Sequence, residues 1–325
     1  MRTSLTGLAL LLAVGLLTPS AQQPAPRAYV SNERAGTVTV IDTATDRVVR
    51  HMPIGPRPRG LQVLGQRLFV ALSDADPHSE GADDAIAVLD VESGKVLARH
   101  PAGTDPERLV VNRDGTRLYA ANEDAGTATV IDLKSGKVLA TLVVGIEPEG
   151  VAISPDERWV YVTAETSNTV SVIDTRALKV VSNFLVDPRP RDAAFSPDGT
   201  RAYVTAEIGG SVSVVDVSQH RVIATIELPE GAKPVGVTVS PDNRFVYVAN
   251  GHGNSVAIVD AQALKVVATV PTGRRPWGVA LTPDGRKLYT ANGLSGDSTV
   301  IDVERRRILA TIPTGAGAWG VTISR

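Results

Sequence analysis

The sequence predicts an all-β fold, a single seven-bladed β-propeller whose blades are four-stranded antiparallel sheets. A phrase close to Val-Ile-Asp recurs seven times, with its aspartate at positions 42, 90, 132, 174, 216, 260 and 302. The resulting spacings of 42 to 48 residues are typical of one propeller blade. Each repeat holds four short β-rich runs, and one blade is divided between the two ends of the chain.

The fourth repeat illustrates how the four strands of a blade are predicted. Its β-rich runs cover residues 150–154, 159–163, 169–174 and 179–184. Sequences such as Ser-Pro-Asp-Gly at 196–199 predict tight turns, because proline presets φ and glycine tolerates a positive φ. The repeated aspartates are predicted to accept hydrogen bonds from turn N–H groups. The tyrosines that open the second strands are predicted to pack between blades.

The two ends of the chain predict how the ring closes. Residues 28–32 read as a second strand that has no first strand before it. Residues 320–324 read as a first strand with nothing after it. Seven complete blades result only if the C-terminal strand pairs with the N-terminal blade. We therefore expect the C-terminal strand to close the ring.

The N-terminus reads as an export signal. Arg2 precedes an apolar run at residues 8–17, and small residues follow, which is the order of a secretory signal peptide. We predict a signal peptide at 1–21, a flexible leader at 22–26 and the propeller at 27–325. No second apolar run of membrane length follows, so we expect a periplasmic or secreted protein that is not inserted in the membrane.

Composition excludes several classes of function. The 33 Lys and Arg against 35 Asp and Glu give a net charge of −2, which is too even for docking onto nucleic acid. The sequence has no cysteine, so disulfides, thiolate nucleophiles and cysteine-ligated metals are excluded. Neither a G-x-x-x-x-G-K-[ST] phosphate loop nor a G-x-S-x-G nucleophile elbow occurs.

The second strands carry a resemblance to a known family. Tyr29-Val-Ser-Asn32, Tyr119-Ala-Ala-Asn122 and Tyr247-Val-Ala-Asn250 resemble YVTN-type propeller repeats over essentially the whole mature chain. A narrower match, through Glu147-Pro-Glu-Gly150 and residues 185–191, is similar to seven-repeat propellers associated with PQQ-dependent alcohol catabolism. The resemblance implies an exported accessory of a quinoprotein oxidation system. Its implied partner is a quinoprotein dehydrogenase, a cytochrome or a transport component.

The turns that enter each first strand are predicted to share one face around the central channel, which we call the mouth. Aligned triplets such as Arg57-Pro-Arg59 and Arg275-Pro-Trp277 predict which side chains line it. The third residues of the triplets, in ring order, are Arg59, Glu107, Glu149, Arg191, Val235, Trp277 and Trp319. The ends of the second strands add Glu33, Glu123, Glu165 and Glu207.

Two readings of the mouth remain open. Trp277 and Trp319, flanked by Arg59, Arg191 and Arg275, would suit a flat, carboxylate-bearing ligand through stacking and bidentate hydrogen bonds. PQQ has that chemistry. Alternatively, the arginines and glutamates pair around the ring and hold the turns together without any ligand.

Two further candidates lie outside that set. An insertion in the second repeat carries Asp74, Asp76, His78 and Glu80, which are oxygen and imidazole ligands suited to Ca²⁺ or a transition metal. A solvated acidic loop is the simpler reading of the same residues. His252, in a glycine-rich turn on the mouth face, is the one histidine kept as a candidate ligand or acid–base group.

No catalytic constellation is visible, so the sequence predicts a non-enzymatic exported module that binds a protein partner, a small anionic ligand or both. One alternative is a propeller enzyme, either a metal-dependent lactonase-like hydrolase or a haem-d1-handling protein. The other is a cell-surface structural or adhesion propeller.

Overall fold

We describe residues 25–74 and 84–325 of the protein from a computed structural model. These residues form 28 strands in seven four-stranded antiparallel sheets, which confirms the predicted propeller. The predicted signal peptide and most of the predicted leader lie outside the described residues, as do Asp76, His78 and Glu80 of the insertion. No helix within the described ranges has the length and hydropathy to cross a bilayer.

Each blade contributes one strand to each of four concentric positions. The first, innermost strands are β4 Pro58–Leu64, β8 Pro106–Val111, β12 Pro148–Ile153, β16 Pro190–Phe195, β20 Pro234–Val239, β24 Pro276–Leu281 and β28 Ala318–Ile323. The second strands are β1 Arg27–Asn32, β5 Arg67–Leu72, β9 Arg117–Asn122, β13 Trp159–Ala164, β17 Arg201–Ala206, β21 Phe245–Asn250 and β25 Lys287–Asn292.

The third and fourth positions complete the sheets. The third strands are β2 Thr37–Asp42, β6 Ala85–Asp90, β10 Thr127–Asp132, β14 Thr169–Asp174, β18 Ser211–Asp216, β22 Ser255–Asp260 and β26 Asp297–Asp302. The outer strands are β3 Arg47–Pro53, β7 Val96–His100, β11 Val138–Val143, β15 Lys179–Leu185, β19 Arg221–Glu227, β23 Lys265–Pro271 and β27 Arg307–Pro313. Blade 1 contains β28 and β1–β3, and blades 2 to 7 follow in chain order from β4.

The ring closes between the two ends of the chain, as predicted. Strand β28 pairs antiparallel with β1, with Ala28 opposite Ile323 and Tyr29 opposite Thr322. The backbone N–H of Ser324 donates to the carbonyl of Arg27 at 2.9 Å. Each innermost strand also packs against the innermost strands of both neighbouring blades, β28 against β4 included. All seven innermost strands therefore surround one channel.

The core lies between the blades, because the second and third strands are covered on both faces. The six tyrosines of the second strands are at most 2% exposed and pack in these interfaces, which confirms their predicted role. Asn122 donates its side-chain amide to Thr129 Oγ1 at 2.9 Å, linking the second strand to the third. Outer strands alternate between exposed and partly buried residues, as expected for sheet edges at the rim.

The aspartates of the repeated phrase fix the turn between the third and fourth strands. Asp132 Oδ1 accepts the N–H and the hydroxyl of Ser135, both at 2.6 Å, and Asp260 Oδ1 accepts the N–H of Ala263 at 2.7 Å. Hydrogen bonds from Ser135 hold the pKa of Asp132 below its ordinary value. The prediction that these aspartates serve the turns is confirmed.

Candidate functional site

The turns that enter the innermost strands have an unusual backbone that aims charged side chains at the mouth. In six blades the residue before the strand's proline has a positive φ although it is not glycine; residues before proline are ordinarily extended. These residues are Arg57 (36°), Asp105 (50°), Glu147 (57°), Arg189 (62°), Lys233 (50°) and Arg275 (59°). Strained backbone of this kind persists where the surrounding structure fixes it.

A recurring hydrogen bond fixes these turns. The N–H at the end of the second strand donates to the carbonyl of the positive-φ residue, as in Glu123 to Asp105 at 2.9 Å and Gly293 to Arg275 at 2.8 Å. The mouth end of each innermost strand also has a register irregularity, between Pro106 and Leu109 in blade 3, for example. An irregularity of this kind turns a side chain out of the regular ladder. The second-strand ends and the third triplet residues therefore meet at the mouth.

Arg59 lies at the centre of an acidic cluster on blades 1 to 3. Its Nε donates to Glu33 Oε1 at 3.0 Å, and its Nη1 lies 3.6 Å from carboxylate oxygens of both Asp105 and Glu123 and also contacts Glu107. Its side chain is only 13% exposed. Burial alone would lower the pKa of Arg59, but the negative charges around it, Asp105 first, raise it above its ordinary value.

Glu123 differs from the other acids of this cluster. Burial, reinforced by the negative charge of Glu149, raises the pKa of Glu123 to about 7, although Arg59 acts in the opposite direction. Its side chain is still 26% exposed, so water reaches it from the mouth. A carboxyl group with these properties gains and loses its proton near neutral pH, as a general base requires.

A second arginine–glutamate cluster has members on blades 4, 5 and 7. Arg191 lies 3.0 Å from Glu149 and 3.7 Å from Glu207, and it contacts Glu165. Arg275 donates to Glu207 at 3.0 Å. The alternative expectation of arginine–glutamate pairing thus describes these contacts, with one correction: Arg191 and Glu149 are 6% and 2% exposed, so the pairs are buried.

Side chains from four blades also meet around the channel. The indoles of Trp277 and Trp319 stack with ring centroids 6.2 Å apart and planes at 13°. The guanidinium of Arg108 lies 4.6 Å from the Trp319 ring and reaches Asp192 on the far side of the channel at 3.5 Å. Burial raises the pKa of Asp192, and Arg108 opposes that effect. Blades 1, 3, 5 and 7 are therefore tied together at this level of the channel.

A cavity of about 590 Å³ opens beside the tryptophan pair. It lies at blades 6, 7 and 1, and its wall includes Glu33, His252, Trp277 and Trp319. The second strands of blades 6 and 7 are followed by Gly251 and Gly293, which replace the glutamate of other blades. A Cβ at Gly293 would lie 2.7 Å from Trp277 Cδ1, so the glycine leaves the space that the indole occupies.

Replacing Gly293 by Ala is expected to displace Trp277 and to destabilise the fold by about 1–3 kcal/mol, the usual effect of overpacking. The shift should change the near-UV circular dichroism and the tryptophan emission. Gly251→Ala is the matched control, because its Cβ would meet Lys233 and Val235 but no indole. Equal spectra for the two variants would contradict the assigned role of Gly293.

The described carboxylates give one candidate cation cluster, but the chain already fills it. Asp105, Glu107 and Glu123 offer oxygen atoms that all lie within 4.8 Å of one another. Arg59 Nη1 lies among these three carboxylates, so the arrangement suits a guanidinium, and a metal would have to displace it. Asp84, which follows the insertion, accepts the N–H groups of Asp74 and Asp105 at 2.8 and 2.7 Å. These hydrogen bonds connect the two ends of the insertion to the Asp105 turn at the mouth.

The structure thus divides the predicted site residues among three places. Arg59, Glu33, Glu107 and Glu123 form the first cluster, and Arg191, Arg275, Glu149, Glu165 and Glu207 form the second. His252, which is exposed, lines the cavity with both tryptophans.

Several site residues escaped the sequence analysis. Asp105 and Arg189 are the first residues of the aligned triplets, so the alignment could have indicated them. Arg108 and Asp192 follow the triplets, and nothing in the repeat pattern marks a contact across the channel.

Comparisons with known proteins give two partial family matches. Residues 186–309 match the model of the seven-bladed β-propeller lactonases, and residues 78–192 match that of the cytochrome d1 haem domain. No curated protein matches the chain. The lactonase match spans strands β16 to β27, and so includes His252, Arg275 and Trp277 of the cavity wall.

Solved structures share the fold over nearly the whole chain. Hydrazine synthase from Kuenenia stuttgartiensis has a TM-score of 0.76 at 22% identity and covers 89% of this chain and 99% of its own. A putative 6-phosphogluconolactonase from Bacteroides fragilis has a TM-score of 0.78 at 18% identity, covering 95% and 100%. A functionally unknown protein from Desulfotomaculum acetoxidans has a TM-score of 0.76 at 16% identity, covering 92% and 99%.

The expectation of a non-enzymatic protein is wrong. The lactonase family match points to a hydrolase, and the putative 6-phosphogluconolactonase shares the architecture. The sequence favoured a non-enzymatic module, with a propeller enzyme as the alternative, because no catalytic motif is visible in it. A carboxyl group whose pKa is raised by burial and by neighbours on other blades has no motif in the sequence, and Glu123 is such a group.

Proposed function

We propose that the protein is a lactonase-like hydrolase that opens a cyclic ester at the mouth, with Glu123 as general base. The observation that carries the proposal is the Glu123 carboxyl group, which has a pKa of about 7 and is partly exposed at the mouth. Groups with a pKa near the working pH are the most effective general bases. The lactonase match, which includes the parts of the cavity wall on blades 6 and 7, supports the same class of reaction.

The contacts of Arg59 support placing the substrate between the cavity and Glu123. Arg59 Nε binds Glu33, which lines the cavity, and Arg59 Nη1 lies 3.6 Å from Glu123. One guanidinium therefore separates the cavity wall from the proposed base. A substrate that fills the cavity could present its ester carbonyl to this end of the mouth.

The proposed reaction is a direct hydrolysis, in which no covalent bond forms between the enzyme and the substrate. Glu123 takes a proton from water, and the water oxygen attacks the ester carbonyl. The bond between the carbonyl carbon and the ring oxygen then breaks, and the proton passes from Glu123 to that oxygen, leaving a hydroxy acid. Arg59, whose Nη1 lies 3.6 Å from Glu123, holds the carboxylate of the base at the mouth.

The expected pH dependence follows from the raised pKa of Glu123. The base must be unprotonated, so kcat/KM for a hydrolysed lactone should rise about tenfold from pH 6 to pH 8 and level off above that. The measurement is the initial rate with a panel of γ- and δ-lactones, with and without an anionic substituent, after subtraction of the buffer rate. No hydrolysis of any lactone, or a rate that falls between pH 6 and pH 8, would refute the proposal.

Location and partners stay predictions. The export signal supports a periplasmic location, and the resemblance to PQQ-associated propellers supports a quinoprotein dehydrogenase, cytochrome or transport component as partner. The match to the cytochrome d1 haem domain favours haem handling as the second candidate function.

A further inference from the structure

Strand β11, the outer strand of blade 3, carries neither a charged residue nor a proline. Its sequence over Val138–Val143 is VLATLV. Each of the other six outer strands in the described ranges contains an arginine or a lysine, and three of them end in proline. Charged side chains and prolines at the edge of a sheet keep other strands from pairing with it. Strand β11 lacks that protection.

The outer edge of β11 has no neighbouring strand within residues 25–74 and 84–325. It is the last strand of its sheet and pairs with β10 alone. Ala140 and Leu142 pack against the core shared with blade 4. Leu139, Thr141 and Val143 alternate with them and are exposed. Val143 is 80% exposed, at a position where blades 1, 6 and 7 have proline and blade 5 has glutamate.

A second copy of β11 fits this edge in an antiparallel register centred on Thr141. Residues directly opposite each other in an antiparallel pair have their side chains on the same face of the sheet. A twofold axis at Thr141 therefore sets this residue opposite its own copy, and Leu139 opposite Val143 of the second copy. On the other face, Ala140 lies opposite Leu142 in the same way. Each of these pairs is either apolar or Thr–Thr, so the register buries no charge.

The charges at the two ends of β11 are complementary in this arrangement. Lys134 and Lys137, both exposed, precede the strand. Asp124 and Glu147, also exposed, lie in the turns at its other end. Antiparallel pairing brings the basic end of each copy to the acidic end of the other, whereas parallel pairing would set like charges together. The edge is therefore complementary to itself in both shape and charge.

We propose that two copies of the chain associate through β11, so that the two blade 3 sheets become one continuous sheet across the rims of both propellers. The assembly ends at two copies, because a twofold contact of this kind uses the same strand on both sides and leaves no second β11 free. The contact lies at the outer position of blade 3, away from the mouth. The inference is thus independent of the proposed hydrolysis.

Sedimentation velocity of the mature chain, from about 1 to 100 μM, measures the association. We expect a dimer whose fraction rises with concentration. Thr141→Lys sets two like charges opposite each other and should weaken the dimer at least about tenfold. Because Thr141 is exposed, the variant should keep the near-UV circular dichroism of the wild type.

The matched control for this measurement is Thr225→Lys. Thr225 is exposed and lies opposite Ser213 in blade 5, as Thr141 lies opposite Thr129 in blade 3. This variant should dimerise as the wild type does. A wild type that stays monomeric at about 100 μM, or a Thr141→Lys variant that associates as tightly as the wild type, would refute the proposal.

Two further experiments test the register. The chain has no cysteine, so Thr141→Cys can form a disulfide only between copies, and mild oxidation should yield a covalent dimer. Thr225→Cys should not form one at a comparable rate. A mixture of Thr141→Lys and Thr141→Glu should dimerise again, because opposite charges then meet at the twofold axis. Equal cross-linking of the two cysteine variants, or no recovery in the mixture, would show that Thr141 does not face its own copy.

Discussion

Replacing Glu123 by Gln is expected to abolish the proposed hydrolysis and, at the same time, to make the folded protein more stable above neutral pH. The amide has the shape of the carboxyl group but cannot accept the proton of water, and loss of a general base costs about 10²- to 10⁴-fold in rate. The variant should nevertheless be more stable than the wild type above neutral pH. There the wild-type carboxyl group is charged, and its burial in the folded state disfavours that charge.

The pH range of that stability effect follows from the direction of the pKa shift. Folding raises the pKa of Glu123 from 4.5 to about 7, so the folded chain holds this proton more tightly than the unfolded chain. The stability linked to this group is complete below pH 4.5 and is lost as the pH rises through 7. Glu123→Gln should therefore gain roughly 1–3 kcal/mol over the wild type at pH 8 and little at pH 4.

Urea unfolding of both proteins at pH 4, 6 and 8 measures the second effect, and the lactone assay at pH 8 measures the first. Glu304→Gln is the matched control, because Glu304 is an exposed glutamate in the turn between β26 and β27. It should change neither rate nor stability. A Glu123 variant that keeps its activity, or one that is less stable at pH 8 than the wild type, would contradict the assignment.

The repeat made the fold predictable down to the closure of the ring. Strand positions and turns recur with the sequence, and the orphan strands at the two ends could pair only with each other, as β28 and β1 do. The interfaces between blades repeat as well, which is why Tyr119 and Tyr247 could be assigned to packing from their position alone.

The site was only partly predictable, because it depends on contacts between blades that do not follow the repeat. Arg59 and Arg191 were correctly placed at the mouth, but the sequence does not show that their charge is taken up by buried glutamates. The sequence signal that marks the cavity is a departure from the repeat: Gly251 and Gly293 stand where four other blades have glutamate.

Replacing Arg191 by Met is expected to destabilise the protein by about 3–5 kcal/mol, the usual cost of leaving a buried charge without its partner. Glu165 and Glu207 keep other cations, because Arg189 lies 2.7 Å from Glu165 and Arg275 lies 3.0 Å from Glu207. Glu149 is different: it is 2% exposed, and Arg191 is the one cation paired with it among the described residues. Most of the lost stability should therefore come from the unpaired Glu149 carboxylate.

A double variant tests that assignment directly. Arg191→Met combined with Glu149→Met removes both charges and fills the space with apolar groups, so it should recover most of the lost stability in urea unfolding. The matched control is Arg305→Met, which removes a 61% exposed arginine from a pair with Asp302 of the same 3.0 Å length. It should cost less than about 1 kcal/mol, because Asp302 still accepts the backbone N–H of residue 305. If Arg191→Met and Arg305→Met lower the free energy of unfolding equally, the buried cluster does not stabilise the mouth. If the double variant is no more stable than Arg191→Met, then Glu149 is not the group that Arg191 neutralises.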